Sequence, residues 1–157
     1  MGNSKHIFLQ LNTTNIISEI GPRVLPPAEI NAIALSNCSL FDQGHMVTGD
    51  PIVNFNIDVE QEQDIYFTIL PFHLISRHKL YFTKAAFSPD GEAKIPVTID
   101  KPAGHFMSFK ITIGSKAVVG ASENFSLQLM LEHQARTKLP PITISIDPVL
   151  QVSQPKP

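Results

Sequence analysis

The 157-residue sequence is poor in charge and in cysteine, and it contains no tryptophan. Only 17% of its residues are charged, against roughly a quarter in typical soluble domains. Its 12 Lys and Arg residues are scattered and the net charge is −2, so there is no basic stripe for nucleic-acid phosphates and no polybasic patch for anionic lipid. A low charge content is typical of proteins that cover part of their surface with a partner, and also of plain β-domains rich in Ser, Thr, Asn and Gln.

Cys38 is the single cysteine, which excludes an internal disulfide and favours a reducing compartment. Because it lies close to Leu40 and Phe41, we expect a small core or boundary residue there rather than a nucleophile. No apolar signal segment follows the polar N-terminus, and no apolar run approaches the length needed to span a bilayer. The sequence therefore predicts a soluble cytoplasmic protein.

Motifs for catalysis and for ligand binding are also missing. The 8 glycines are dispersed, so there is no glycine-rich phosphate loop. No serine stands in the Gly-x-Ser-x-Gly elbow of hydrolases, and the nearest glycine-flanked serine, Ser115, lies in an expected loop. Carbohydrate-binding sites often use aromatic platforms, but the chain has no Trp and only two Tyr. A lectin-like module would have to use polar loops such as residues 71–78 and 115–124.

Metal binding is not favoured by the distribution of histidines and acids. Six histidines occur without His-x-His or His-x-x-x-His spacing: His6, His45, His73, His78, His105 and His133. The acidic residues in 58–64 lack the glycine that a tight calcium loop needs. We expect a solvated acidic hairpin there, no cofactor, and histidines that mainly confer pH sensitivity.

Alternation of apolar and polar residues with a period of two fills most of the chain. In 6–12, for example, Ile7, Leu9 and Leu11 share one face while Phe8 and Gln10 take the other. Seven similar runs follow, separated by Pro, Gly and Asp turns: 52–60, 64–70, 79–83, 93–99, 105–113, 125–132 and 142–146. Leu150 and Val152 are expected to resume the last strand.

Other segments are less regular. Gly and Pro residues in 13–27 predict an irregular connection. The Pro-Pro-Ala-Glu sequence of 26–29 favours one short helix or turn, and a strand over 30–35 is the alternative. Pro96 lacks an N–H, so the strand that contains it is expected at a sheet edge.

These patterns predict an all-β protein: an antiparallel β-sandwich of the immunoglobulin-like or jelly-roll type, with about eight strands and at most one short helix. Residues 1–157 are expected to form a single domain. Its N-terminal residues 1–5 and the Pro-rich tail 153–157 are expected to be frayed.

Apolar residues on the nominally outer faces of several strands predict an interface. The candidates are Phe8, Tyr66, Tyr81 and Phe106, which either pack under the segment 13–50 or contact a partner. We therefore expect a non-enzymatic binding or assembly protein that forms homo-oligomers, with a protein or a glycan as other possible partners. A carbohydrate- or small-ligand-binding module is the first alternative, and a hydrolase is the second.

Overall fold

The computed structural model of the chain describes residues 4–42, 45–47, 56–71, 78–87, 94–101, 103–133 and 141–154. Within these ranges the protein is mostly β, with twelve strands in two mixed sheets and two α-helices. The strands are β1 (Ser4–Leu11), β2 (Cys38–Asp42), β3 (His45–Val47), β4 (Asn56–Val59), β5 (Asp64–Pro71), β6 (His78–Phe87), β7 (Val97–Ile99), β8 (Ala103–Phe106), β9 (Ser108–Ile113), β10 (Ser122–His133), β11 (Ile142–Ile146) and β12 (Val149–Val152). The helices are α1 (Thr13–Ile20) and α2 (Pro27–Ser36).

Each sheet mixes antiparallel and parallel pairs. The first sheet has the order β3-β2-β1-β5-β9-β7, and the second has the order β4-β12-β10-β6-β8, with β11 also paired to β10. The antiparallel prediction is wrong at two places, because β1 runs parallel to β5 and β4 runs parallel to β12. Parallel neighbours need long connections. Between β1 and β5, the described part of the chain contains both helices and three strands.

The predicted alternation matches the observed core. Ile7, Leu9 and Leu11 of β1 are buried, and the same pattern holds for the inward residues of β5, β10 and β11. Rings from the two sheets meet, because Phe67 of the first sheet lies 5.5 Å from Phe125 of the second, between ring centroids. Buried residues of both sheets and both helices form one hydrophobic cluster.

Helix α1 occupies a segment for which the sequence predicted irregular structure. Asn12 caps the helix, since its side-chain oxygen accepts a hydrogen bond of 3.1 Å from the Asn15 N–H. Ile16 and Ile20, four residues apart, are buried on one face. Gly21 follows with a φ of 59°, a conformation that favours glycine. The glycine therefore ends a helix here, and the prediction of at most one helix is wrong.

Helix α2 confirms the predicted helix and covers an edge of the second sheet. It begins at Pro27, where a missing N–H is tolerated in the first turn. The Asn31 side-chain oxygen accepts a 3.1 Å hydrogen bond from the Ser145 N–H of β11. This contact satisfies a backbone group on a strand edge that would otherwise face solvent. Within the described residues, no helix is both long and apolar enough to cross a membrane.

Strand number and limits also differ from the prediction. About eight strands were expected, but residues 38–47 add β2 and β3, and the run 105–113 divides into β8 and β9. Strand β1 begins at Ser4, so residues 4 and 5 of the predicted frayed terminus lie in the first sheet. Ser153 donates its N–H to the Val59 carbonyl at 2.8 Å. The predicted strand 52–60 is observed from Asn56, and its earlier residues lie outside the described ranges.

Several local predictions are confirmed. Strand β7, which follows Pro96, lies at the edge of the first sheet. The chain breaks at Asp147 and Pro148 and resumes as β12, with Leu150 and Val152 buried.

Candidate functional site

Phe8 and Tyr66, two of the predicted interface residues, lie on the outer face of the first sheet. The His6 ring stacks on Tyr66 across β1 and β5, with centroids 5.0 Å apart and an interplanar angle of 14°. Phe8 lies 6.4 Å from the same histidine ring. In the next strand Phe41 is the register partner of Phe8, so the two side chains share a face. We call Phe41, Phe8, His6 and Tyr66 the aromatic row.

The aromatic row remains accessible in the described structure. His6 is exposed, and the three other members are half-buried. Sequence analysis did not include His6 or Phe41 among the interface candidates. The alternation that placed Phe8 on the outer face also places His6 there, two residues earlier, and so could have identified it. Phe41 could not be identified in this way because its position depends on the pairing of β2 with β1.

Tyr81 is separated from the aromatic row because it belongs to the second sheet. Its ring lies 4.6 Å from that of His105, between centroids. Desolvation raises the pKa of the Tyr81 phenol, and the Glu132 carboxylate raises it further by its charge and by a side-chain hydrogen bond. The phenol therefore stays protonated at neutral pH, and the group is a hydrogen-bond donor rather than a phenolate nucleophile.

Phe106 packs towards the core and is not part of an outer-face surface. Its ring lies 6.0 Å from Phe82 and 5.7 Å from Phe109. The sequence placed it outside because 105–113 read as one strand, with Met107 inside. In the structure the chain leaves the second sheet after Phe106 and enters the first at Ser108. This change of sheet resets the alternation, so Met107 is 49% exposed.

Cys38 is a buried residue of β2, as predicted. Burial raises the pKa of its thiol to about 12. The thiolate, which is the nucleophilic form, is therefore disfavoured at neutral pH. The residue contributes to packing, and its environment is not that of a reactive cysteine.

The acidic stretch 58–64 connects the two sheets and is not a hairpin within one of them, because β4 belongs to the second sheet and β5 to the first. Its polar groups are used for structure. The buried Gln63 side chain accepts a hydrogen bond from the Glu60 N–H at 2.9 Å, and Asp64 accepts one from the Thr112 hydroxyl at 2.7 Å. Among the described residues, no three His, Cys, Asp or Glu side chains are grouped to hold a metal ion.

The histidines are spread over the molecule. The His6 ring stacks on Tyr66, and the His105 ring contacts Tyr81 at a tilt of 34°. The Nε2 atom of His78 lies 3.5 Å from the Thr14 hydroxyl. His73 and the side chains of His45 and His133 lie outside the described part.

Of the two loops considered for ligand binding, residues 72–77 lie outside the described ranges. The other candidate, residues 115–124, begins in the loop between β9 and β10 and ends within β10. This loop crosses from the first sheet to the second. We call residues 114–121 the valine loop, because it exposes Val118 and Val119. Ser115, the glycine-flanked serine that lacks a hydrolase elbow, is exposed in a turn of this loop.

Comparison with known proteins gives a likeness in fold. No family model matches the sequence, and no curated protein matches it. The structure is similar to that of inclusion body protein PixA from Burkholderia cenocepacia J2315, with a TM-score of 0.54 and 11% identity over 99% of this chain and 97% of that one. This similarity shows a shared fold over nearly the full length of both chains.

Two other solved structures are more distant. A nucleoside hydrolase-related protein from Saccharophagus degradans has a TM-score of 0.39 and 12% identity over 63% of this chain and 22% of its own. The multicopper oxidase Fet3p has a TM-score of 0.31 and 10% identity over 95% of this chain and 27% of its own. Neither likeness carries an argument about fold or function.

Proposed function

We propose that this chain is a non-enzymatic, cytoplasmic assembly protein that works by self-association. Its two sheets and shared core would form a single β-sandwich domain of the immunoglobulin-like or jelly-roll type. The observation that carries the proposal is the aromatic row, a set of ring side chains on the outer face of a sheet whose inner face already supplies the core.

The aromatic row has the properties of a contact surface. Tyrosine and other aromatic side chains are enriched in the central residues of protein interfaces, since they bury a large area at a small cost in conformational entropy. In the row, the His6 ring already lies flat on Tyr66. A partner would therefore meet rings whose orientation is partly set before binding, which lowers the entropy lost on association.

The fold likeness to PixA supports the same reading. That protein is described as an inclusion body protein, and the similarity spans nearly all of both chains. Because a fold can host unrelated functions, the likeness adds support only together with the chain's own exposed rings. The buried Cys38 and the low net charge of −2 fit an assembly in a reducing compartment, with little long-range repulsion between copies.

The test is the mass of the protein in solution, measured by size-exclusion chromatography with light scattering over a range of micromolar concentrations. We expect masses above 17.3 kDa that rise with concentration. The Tyr66→Glu variant should return the mass towards 17.3 kDa, because a carboxylate cannot be buried unpaired in an interface at low cost. Circular dichroism and the melting temperature show whether the variant is folded.

Val24 provides a matched control, because it is 82% exposed and lies between the two helices rather than on the sheet. The Val24→Glu variant adds the same charge and should assemble like the unmodified protein. A mass of 17.3 kDa for the unmodified protein at every concentration would contradict the proposal. Binding of that monomer to a glycan array would instead favour the carbohydrate-binding alternative.

A further inference from the structure

The valine loop presents two apolar side chains to solvent at adjacent positions. Val118 is 53% exposed and Val119 is 42% exposed. Scattered exposed apolar residues are normal on protein surfaces, so exposure by itself does not define a contact site. The construction of the loop and the charges around it provide two further observations.

Hydrogen bonds fix the backbone of the valine loop on both sides of the exposed pair. The Val118 N–H donates to the Lys94 carbonyl at 3.0 Å, and the Gly120 N–H donates to the Val152 carbonyl at 2.8 Å. Ala117 and Ala121, which flank the tip, are buried in the core cluster. The loop therefore holds its two valines in place, and a partner that binds them does not have to order a flexible segment.

The surroundings of the exposed pair carry both signs of charge. Lys116 is exposed within the loop, and Glu62 is exposed on a neighbouring turn. The Gln61 side-chain amide joins the two segments, donating to the Ala117 carbonyl at 2.6 Å. A surface that binds nucleic acid or anionic lipid needs one dominant positive sign. A two-fold axis at an apolar pair beside a lysine and a glutamate can place the lysine of each copy opposite the glutamate of the other.

We propose that Val118 and Val119 form the centre of a two-fold contact between two copies of this chain, with Lys116 of each copy facing Glu62 of the other. This inference rests on the proposed self-association and adds a second contact to it. A single two-fold contact closes a dimer. The aromatic row and the valine loop together provide each copy with two separate contacts, which an extended assembly needs.

A paired serine substitution tests the contact. Val118→Ser with Val119→Ser should leave the circular dichroism spectrum and the melting temperature nearly unchanged, because both side chains are exposed in the single chain. The concentration at half-association should rise at least about tenfold, since burial of one valine side chain is worth more than a tenfold change in an equilibrium. Val24→Ser is the control and should not change this concentration.

Cross-linking tests the two-fold geometry. The Val118→Cys variant places an accessible thiol at the loop, while buried Cys38 is protected from reagents. A short bismaleimide should link two copies of this variant into a covalent dimer, and should link the Val24→Cys control far less. Equal cross-linking of the two variants would contradict a contact centred on the loop.

The outcomes separate this inference from the proposed function. If the unmodified protein assembles, but the double serine variant assembles equally well, the valine loop is not a contact and self-association stands. If the unmodified protein remains a monomer at every concentration, both the proposed function and the loop contact are refuted.

Discussion

Replacing Phe109 by alanine should cause a large loss of stability, because its ring contacts residues of both sheets. Phe109 is 2% exposed. Its centroid lies 5.0 Å from Phe67 in the neighbouring strand of the first sheet, and 5.0 Å from Phe82 of the second sheet at an angle of 88°. The substitution therefore opens a cavity where the two sheets meet and removes a stacked pair and an edge-to-face pair.

The size of the effect follows from these contacts. Phe to Ala substitutions in cores cost about 3–5 kcal/mol through lost transfer energy and the residual cavity. Aromatic pairs add about 0.5–1.5 kcal/mol each beyond their buried area. We expect a decrease of about 4 kcal/mol in the free energy of unfolding. At roughly 2–4 °C per kcal/mol for a domain of this size, the melting temperature should fall by about 8–16 °C.

Urea unfolding followed by circular dichroism measures this decrease. Phe8→Ala is the matched control, because Phe8 is half-buried on the outer face. It should cost about 1 kcal/mol, since less apolar area is lost and no closed cavity is left. A loss for Phe109→Ala below about 1.5 kcal/mol, or equal to that of Phe8→Ala, would refute a core shared by the two sheets.

Three further predictions concern the reactivity of Cys38, the pH dependence of stability that it causes, and the cap of α1. The Cys38 thiol should not react with a disulfide reagent in the native protein at pH 8 and should react once urea unfolds the chain; fast native reaction would contradict its burial. Because burial raises the pKa of this thiol from 9.0 to about 12, the folded state retains a proton that the unfolded chain releases. The contribution of the protonated thiol to the free energy of unfolding is therefore fully present below pH 9 and is lost as the pH rises towards 12. Over this pH range, the urea midpoint of the unmodified protein should fall more steeply with pH than that of the Cys38→Ala variant. Equal slopes for the two proteins would show that deprotonation of Cys38 is not coupled to unfolding. Asn12→Ala should lower stability by about 1 kcal/mol, while Asn12→Asp should retain the cap to the Asn15 N–H; equal urea midpoints for the two variants would show that the cap contributes nothing.

The two-residue alternation was sufficient to predict the inward residues of β1, β5, β10 and β11, but it failed at the change of sheet at Met107. Each side chain in a strand points to the opposite face from its neighbour, so inward residues such as Ile7 and Leu9 could be identified without knowing which strands pair. Helix α2 was predictable for a similar local reason, because proline is favoured in the first turn of a helix, where its missing N–H has no partner to lose. Helix α1 had local signals too, namely the cap at Asn12 and the spacing of Ile16 and Ile20. These signals were outweighed by the Gly-Pro sequence that follows, which marks the end of the helix.

The candidate surfaces depended on tertiary structure to different degrees. Alternation placed Phe8 and Tyr66 on outer faces, but it could not show that β1 and β5 are adjacent and parallel. The exposure of Val118 and Val119 could not be predicted from the sequence. Whether a valine in a loop is buried or exposed depends on the segments to which that loop is hydrogen-bonded.

The sequence by itself determined local geometry: the period-two strands, their inward faces, the edge position after Pro96 and the helix after Pro26. Tertiary structure decided which strands became neighbours, and so brought His6 onto Tyr66 and Phe41 beside Phe8. It also decided the change of sheet at Met107, which turned Phe106 inwards. The physical reason is that alternation specifies the two faces of one strand, whereas pairing and sheet membership depend on contacts between residues far apart in the chain.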